Sequence, residues 1–344
     1  MGLTIAVSVI GNPIRDYVPS LIRYLIYIGV FNLFYTIHLN RDWNHTGRIV
    51  RAFIYTGIFI SLFFGFLEIA TGQVEYLNED YRVAGPFKFH QLAYAMFLFC
   101  IMISTDFIII RKSRSVLRKI FFGILWMLMF YLFVRTGSRA MFVILFITYF
   151  VVFFFAFKSL KKRFLLITAF CIIALAGAFA ILQLNISPRL KTLFVSKDVG
   201  TDSSTASRIA IHMNAFEAFK KESKVYGIGM GAFTRFYKNA TGADDIAAHN
   251  NYLLFLIEGG VIGLILFLGH QIYMFKWLKK SIHSEFDSQN IVKVAFALFV
   301  GIDVLGFLQN NYYFTESEAI IWCFYGLAFA EIRKHKRVQS TSNS

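Results

Sequence analysis

Four basic side chains are spaced along this chain in a way that suits a phosphorylated, membrane-borne substrate: Arg135, Arg139, Arg208 and His249. Arg135-Thr136-Gly137-Ser138-Arg139 joins two apolar runs with almost no loop between them. Two arginines are thereby held at one hydrophobic boundary, where positive charge is costly without an anionic partner. A guanidinium offers a pyrophosphate two parallel charge-assisted hydrogen bonds. The competing reading is that both side chains snorkel or pair with lipid phosphates. Arg208 follows the capping residues Thr201-Asp202-Ser203-Ser204-Thr205, near the start of a helix expected to reach about Lys221. There the helix dipole disfavours a cation and attracts an anion, so a bound phosphate would offset the cost. A solvated surface arginine is the alternative. His249 opens a new apolar run with Asn250 and Asn251 beside it. Histidine takes a proton near neutral pH, and a polar neighbour can fix its tautomer. An interfacial histidine without a role is the plainer reading.

Other polar features are weaker. Arg82-Val83-Ala84-Gly85-Pro86-Phe87 is a turn in which Arg82, or His90 just after it, either touches an anionic headgroup or simply snorkels. Gly227-Ile228-Gly229-Met230-Gly231 lacks the βαβ context of a dinucleotide fingerprint and reads as a tight turn that lets backbone approach a helix bundle. Glu68, Asp106, Glu258 and Asp303 fall inside apolar runs, where internal pairing is expected. Gly259, Gly260 and Gly263 allow close helix packing. Asp244-Asp245 is the only adjacent aspartate pair, and its side chains diverge. No nucleophile elbow, zinc motif or P-loop is present, so neither a metal nor a cofactor is expected. The three cysteines lie in apolar runs without ligand spacing.

The elements that must position these residues are membrane helices. The chain of 344 residues is 57% hydrophobic and 18% aromatic, more apolar than a soluble domain tolerates. Uncharged runs of bilayer-spanning length recur, and the period-2 alternation of a barrel is absent. The fold class is all-α: a polytopic helical membrane protein with about nine membrane helices and one long extracytoplasmic loop. Spans are expected near 20–38, 51–70, 91–110, 119–134, 139–157, 163–182, 251–275, 290–309 and 317–332. The organisation is then residues 1–182 as N-terminal helices, 183–250 as the loop with an amphipathic helix, 251–332 as C-terminal helices and 333–344 as a tail, disordered from Gln339. In the loop helix, Ile209, Met213 and Phe216, with Phe219 continuing them, form an apolar stripe that lies on the membrane surface or packs on the bundle.

The net charge of +15 reports topology rather than nucleic acid. Arg111, Lys112, Arg114, Arg118, Lys158, Lys161, Lys162, Lys279, Lys280 and Arg333 fall on one side of the expected spans, along with further basic residues. The short connections on the other side hold only Arg82, Lys88, Arg135 and Arg139. The positive-inside rule places the first set and the C-terminus in the cytoplasm, and the loop 183–250 outside. Arg15 and Arg23 fit the resulting outward N-terminus poorly, and a helix upstream of Met1 is one explanation.

Arg135-Thr136-Gly137-Ser138-Arg139-Ala140, Ser207-Arg208-Ile209-Ala210, Gly227-Ile228-Gly229-Met230-Gly231 and His249-Asn250-Asn251-Tyr252-Leu253, followed by Glu258-Gly259-Gly260 and Gly263, together resemble the O-antigen ligase/polymerase superfamily. Arg82-Val83-Ala84-Gly85-Pro86-Phe87 resembles its upstream arginine–glycine element, although Lys88-Phe89-His90-Gln91 stands where an asparagine-proline pair is common. The resemblance covers roughly residues 82 to 270. It implies transfer of a glycan from an undecaprenyl-pyrophosphate carrier to an acceptor, without metal, at the outer face of the bacterial cytoplasmic (inner) membrane. The acceptor is a lipid A core in ligases, another repeat unit in polymerases, or protein in a relative. It implies pyrophosphate binding at Arg139 and Arg208, with Arg82 and Arg135 as further substrate-binding positions, and activation of the acceptor hydroxyl by His249. Members commonly have more membrane helices than the nine expected here. A different class, a lipid-linked glycan transporter, would use the arginines for binding alone.

Overall fold

The computed structural model describes residues 14–40, 43–72, 75–77, 80–84, 89–104, 116–156, 159, 161, 164–165, 168, 203–222, 224–243, 247–282, 291–307 and 315–342. Ten helices run through them: α1 (Ile14–Asn40), α2 (Trp43–Thr71), α3 (Phe89–Ser104), α4 (Val116–Arg135), α5 (Arg139–Ala156), α6 (Ser203–Phe219), α7 (Phe233–Thr241), α8 (Asn251–Ser281), α9 (Ile291–Gly306) and α10 (Thr315–Ser342). Eight of the nine expected spans coincide with α1–α5 and α8–α10; the ninth, 163–182, lies almost wholly outside the described residues. So do Asp106, Pro188-Arg189, Asp244-Asp245 and the N-terminal ten residues. Stretches within α1, α2 and α8 are long and apolar enough to cross a bilayer, and α3, α4 and α5 are shorter apolar helices.

The chain divides into two compact units. One comprises Phe31–Ser196, Leu278–Gly301 and Cys323–Ser344. Within it α3 packs on α2, α4 and α5. From Leu92 to Ile103 nearly every α3 side chain is buried, and so is the α9 stretch from Ile291 to Val300. Helices hydrophobic all round belong in the middle of a bundle. In contrast, α2 and α4 leave Phe53, Phe63, Leu117 and Met127 well exposed, as lipid-facing helices do. Small residues set the close approaches. A Cβ at Gly65 would come within 2.8 Å of Leu132, and one at Gly301 within 3.0 Å of Phe97 and Ile101. His38 and Glu331 join α1 to α10 at 2.8 Å, and Arg333 donates to the Tyr35 hydroxyl at 2.7 Å. Beyond the apolar part of α10 the helix continues to Ser342. This corrects the expected tail, since Arg333, Lys334, Lys336 and Arg337 are good helix formers and the Ser340 hydroxyl bonds back to the Arg337 carbonyl.

A short antiparallel hairpin follows α2: β1 (Glu75–Leu77) pairs with β2 (Asp80–Arg82), with Glu75 opposite Arg82. Just after it, the Ala84 amide donates to both carboxylate oxygens of Glu68, at 3.1 and 3.0 Å. The expected internal pairing of Glu68 is therefore met by backbone.

The other unit comprises Met1–Val30, Lys197–Trp277 and Ile302–Trp322. Its core joins Ile211, Ala215 and Phe219 of α6, Phe233 and Tyr237 of α7, Ala248, and Leu254 and Ile257 of α8. The helix α8 is broken at Gly260, where φ is 65° and ψ is −166°. The glycine-rich turn enters that break. Ile228 and Gly229 donate their amides to the carbonyls of Ile257 and Glu258, each at 2.9 Å. On the far side, Val261 donates to Lys224 at 2.8 Å and Ile262 to Val225 at 3.4 Å. The expected close approach of this turn to a helix is thus a backbone-to-backbone interlock. It leaves no room for side chains: a Cβ at Gly227 would sit 2.5 Å from both Gly260 N and Ile257 O, and one at Gly260 would overlap the Val225 carbonyl.

Two adjacent glycines therefore differ. A Cβ at Gly259 meets nothing within 4 Å, whereas Gly260 combines positive φ with overlap. Gly259→Ala is expected to leave stability within about 1 kcal/mol of wild type, and Gly260→Ala to lower it by at least about 2 kcal/mol. Thermal unfolding of the two variants in one detergent checks this; equal Tm values would count against the interlock.

Candidate functional site

His249 immediately precedes α8 and has φ of 50°, the one positive φ at a non-glycine residue among those described. Such a conformation costs a residue of this type roughly 1–3 kcal/mol and persists only where neighbours fix it. Asn250 does much of the fixing. Its Oδ1 accepts from the Leu253 amide at 2.9 Å and its carbonyl accepts from Leu254 at 3.0 Å, which makes it the N-cap of α8. Its Nδ2 donates to the Phe307 carbonyl at 3.1 Å. The Tyr252 hydroxyl donates to Asp303 Oδ1 at 3.0 Å, and its ring stacks on Phe307 with centroids 4.1 Å apart. Asn251 is 1% exposed, with Nδ2 close against Gly306. All three residues after His249 thus tie the start of α8 to the end of α9. The expected internal pairing of Asp303 is met by Tyr252.

Arg208 lies in the second turn of α6, half-buried on the face that carries Ile211, Ala215 and Phe219. It is not on the solvated side. One turn further along that face is His212, whose Nε2 is 2.9 Å from the Ala248 carbonyl. Of the stripe expected to lie on a membrane surface or pack on the bundle, Ile209, Met213 and Phe216 are 51%, 63% and 45% exposed, while Phe219 belongs to the buried face. Both faces of α6 carry apolar residues, so periodicity alone does not say which one packs on the other helices. Glu258, expected to pair internally, accepts from the Phe233 amide at 3.2 Å, placing a buried carboxylate at the positive end of α7.

The remaining arginines belong to the other unit. α4 ends at Arg135; the Thr136 hydroxyl donates to the Phe133 carbonyl at 2.6 Å, and Gly137 takes φ of 65° with its amide on Val134. The chain reverses within these residues, and the Ser138 carbonyl accepts the first bond of α5, from Phe142 at 3.0 Å. Arg139 is consequently the first residue of α5, beside a cluster of amides with no partner earlier in the helix. The Val83 amide donates to the Arg135 carbonyl at 3.3 Å. This brings the backbone after Arg82 onto the turn between Arg135 and Arg139. Four of the five expected positions therefore fall at helix boundaries: Arg135 at a C-terminus, Arg139, Arg208 and His249 at or near N-termini.

His212 is the residue that the sequence reading passes over. The signal was present as the i, i+4 spacing from Arg208, which stacks the two side chains along one helix face. Burial pushes the His212 imidazole below its usual value of 6.5, and the nearby Arg208 charge adds to the effect, against the bond to Ala248. Between the lowered folded value and 6.5 the unfolded chain binds more protons than the folded one. The stabilisation is therefore complete above 6.5 and is lost as pH falls from there through the folded value. NMR titration of the His212 ring should give a midpoint under 6.5; a midpoint at or above it contradicts the packing described. Asn250→Ala should lower stability by about 1–2 kcal/mol in thermal unfolding, from loss of the cap and of the Phe307 bond.

No curated protein matches this chain significantly. The family model described as O-antigen ligase matches residues 124–268, a stretch that contains Arg135, Arg139, Arg208, the glycine-rich turn and His249 but not Arg82. Over those residues the chain is similar to the O-antigen ligase family.

Proposed function

We propose that this protein transfers a glycan from undecaprenyl pyrophosphate to an acceptor hydroxyl at the outer face of the cytoplasmic membrane, as an O-antigen ligase. The observation that carries the reading is His249: a strained, clamped residue inside the matched stretch, at the N-terminus of a long apolar helix. Strain of this kind clusters where function needs a side chain held in one place. The positive-inside count supports a multi-pass arrangement with the loop 183–250 outside and the C-terminus in the cytoplasm.

In this mechanism His249 accepts the proton of the acceptor hydroxyl as its oxygen attacks the anomeric carbon. The new carbon–oxygen bond forms as the bond from that carbon to the pyrophosphate oxygen breaks, inverting the anomeric centre. The electron pair leaves on the pyrophosphate. Arg139 and Arg208 stabilise its growing charge through bidentate hydrogen bonds, and Arg135 and Arg82 add positive charge for binding. No metal takes part in this scheme, because guanidinium groups supply the charge that a metal would.

The experiment is transfer from a lipid-pyrophosphate glycan in reconstituted membranes, offered lipid A core and glycan repeat acceptors in turn. A ligase prefers the first, and a polymerase joins repeat units. His249→Ala should lower kcat by about 10²–10⁴-fold. If it leaves transfer intact, the mechanism is wrong; a wild-type protein that moves lipid-linked glycan across the bilayer without transferring it is a transporter instead. Arg208→Lys keeps the charge but loses the planar fork, so it should lower kcat/KM by about tenfold or more.

A further inference from the structure

The backbone around His249 is held from both sides, and the two sides are held by different elements. After His249, the Asn250 side chain and carbonyl bind Leu253, Leu254 and Phe307. Before it, the Ala248 carbonyl meets His212 Nε2 at 2.9 Å. Ala248 is fully buried and shares its core cluster with Ile211 and Ala215, which flank His212 on α6. A carbonyl only accepts, so His212 Nε2 carries the hydrogen, and in the neutral ring Nδ1 keeps the lone pair.

We propose that His212 is a positioning residue for His249, its Nε2–H anchoring the Ala248 carbonyl so that His249 keeps its left-handed backbone and a single imidazole placement. The inference rests on the reading of His249 as the base. Without the anchor, Ala248 can rotate and let His249 relax toward an ordinary negative φ, which swings its side chain away from the placement that His212 and Asn250 set together. The i, i+4 spacing gives the arrangement a second consequence. Arg208 and His212 share one rigid face of α6, so a single helix sets an arginine directly and His249 through its backbone. The relative placement of a pyrophosphate-binding group and a proton acceptor is then fixed by helix geometry. Burial and the Arg208 charge favour the neutral ring, and the bond to Ala248 requires only that Nε2 carry a hydrogen, as it does in that tautomer.

Steady-state transfer by the full-length reconstituted protein tests this, with kcat and KM separated. His212→Ala should lower kcat about 10–100-fold with KM changed less than about twofold, because misplacing a reacting group by an ångström costs that much. His212→Gln retains an amide donor of similar reach and should stay within about threefold of wild type. Should His212→Ala not fold, His212→Met, similar in length but without a donor, takes its place against His212→Gln. Equal kcat losses in donor and non-donor variants overturn the proposal, and so does full kcat in the non-donor variant. His249→Ala in the same preparation separates the failures. If it is inactive while the non-donor variant is fully active, only the positioning role falls. If it transfers normally, the base reading fails and takes this inference with it.

Discussion

A helix interrupted inside an apolar environment leaves amide and carbonyl groups with no water to satisfy them, each at a cost of several kcal/mol. The break in α8 at Gly260 is such an interruption, and the segment from Lys224 to Gly229 closes it with four backbone hydrogen bonds. Much of the unit that holds Arg208 and His249 depends on this. The turn cannot leave without exposing the break, and the break cannot heal into straight helix without expelling the turn. Because both partners are backbone, the fit needs glycine on each side and tolerates no side chain at Gly227 or Gly260.

From that fixed turn the rest of the loop is built outward in both directions. Glu258, in the last turn before the break, receives the amide that starts α7, so the kinked helix also sets where α7 begins. Upstream, α6 lays Ile211, Ala215 and Phe219 on α7 and on the start of α8. The segment carrying His249 is then trapped between α6, which holds Ala248, and the end of α9, which holds Asn250 and Tyr252. A polar loop is usually the adaptable part of a membrane protein. Here its described residues are tied to helices at the break in α8, at Glu258 and at Ala248, and the residue with the strained backbone follows the last of these.

What the sequence made legible follows from the range of the forces involved. A long apolar run is a local property of the sequence, which is why α1–α5 and α8–α10 could be placed from composition. The reversal at Arg135-Thr136-Gly137-Ser138-Arg139 is local as well, since Gly137 and Ser138 end one helix and start the next on their own. The break at Gly260 is different. A glycine pair in an apolar run reads equally as a packing notch, and only the arrival of a segment more than thirty residues upstream decides that Gly260 bends and Gly259 does not. The two faces of α6 are not distinguishable from sequence for a related reason. Ile209 and Met213 are as apolar as Ile211 and Ala215, and hydrophobicity does not say which apolar face meets protein. The strain at His249 was invisible, because left-handed backbone at a non-glycine residue is imposed by its surroundings.

The placement of the arginines carries an argument of its own. The N-terminal end of a helix bears a partial positive charge, and a cation there is unfavourable by a few tenths of a kcal/mol to about 1 kcal/mol, most strongly in the first turn. Arg139 is the first residue of α5 and Arg208 lies in the second turn of α6, so the unfavourable interaction is stronger at Arg139. A chain selected for stability alone would place acidic residues at these positions, as it does with Glu258 at α7. The same features that make an arginine unfavourable there, converging amides and a positive end, make the pair of arginine and helix end favourable for an anion. The cost is recovered when a group of high negative charge binds and is felt again when it leaves. Under the proposed reading, a helix end that holds an anionic group and then releases it gains from that arrangement, because the empty state is not made comfortable for its own charges.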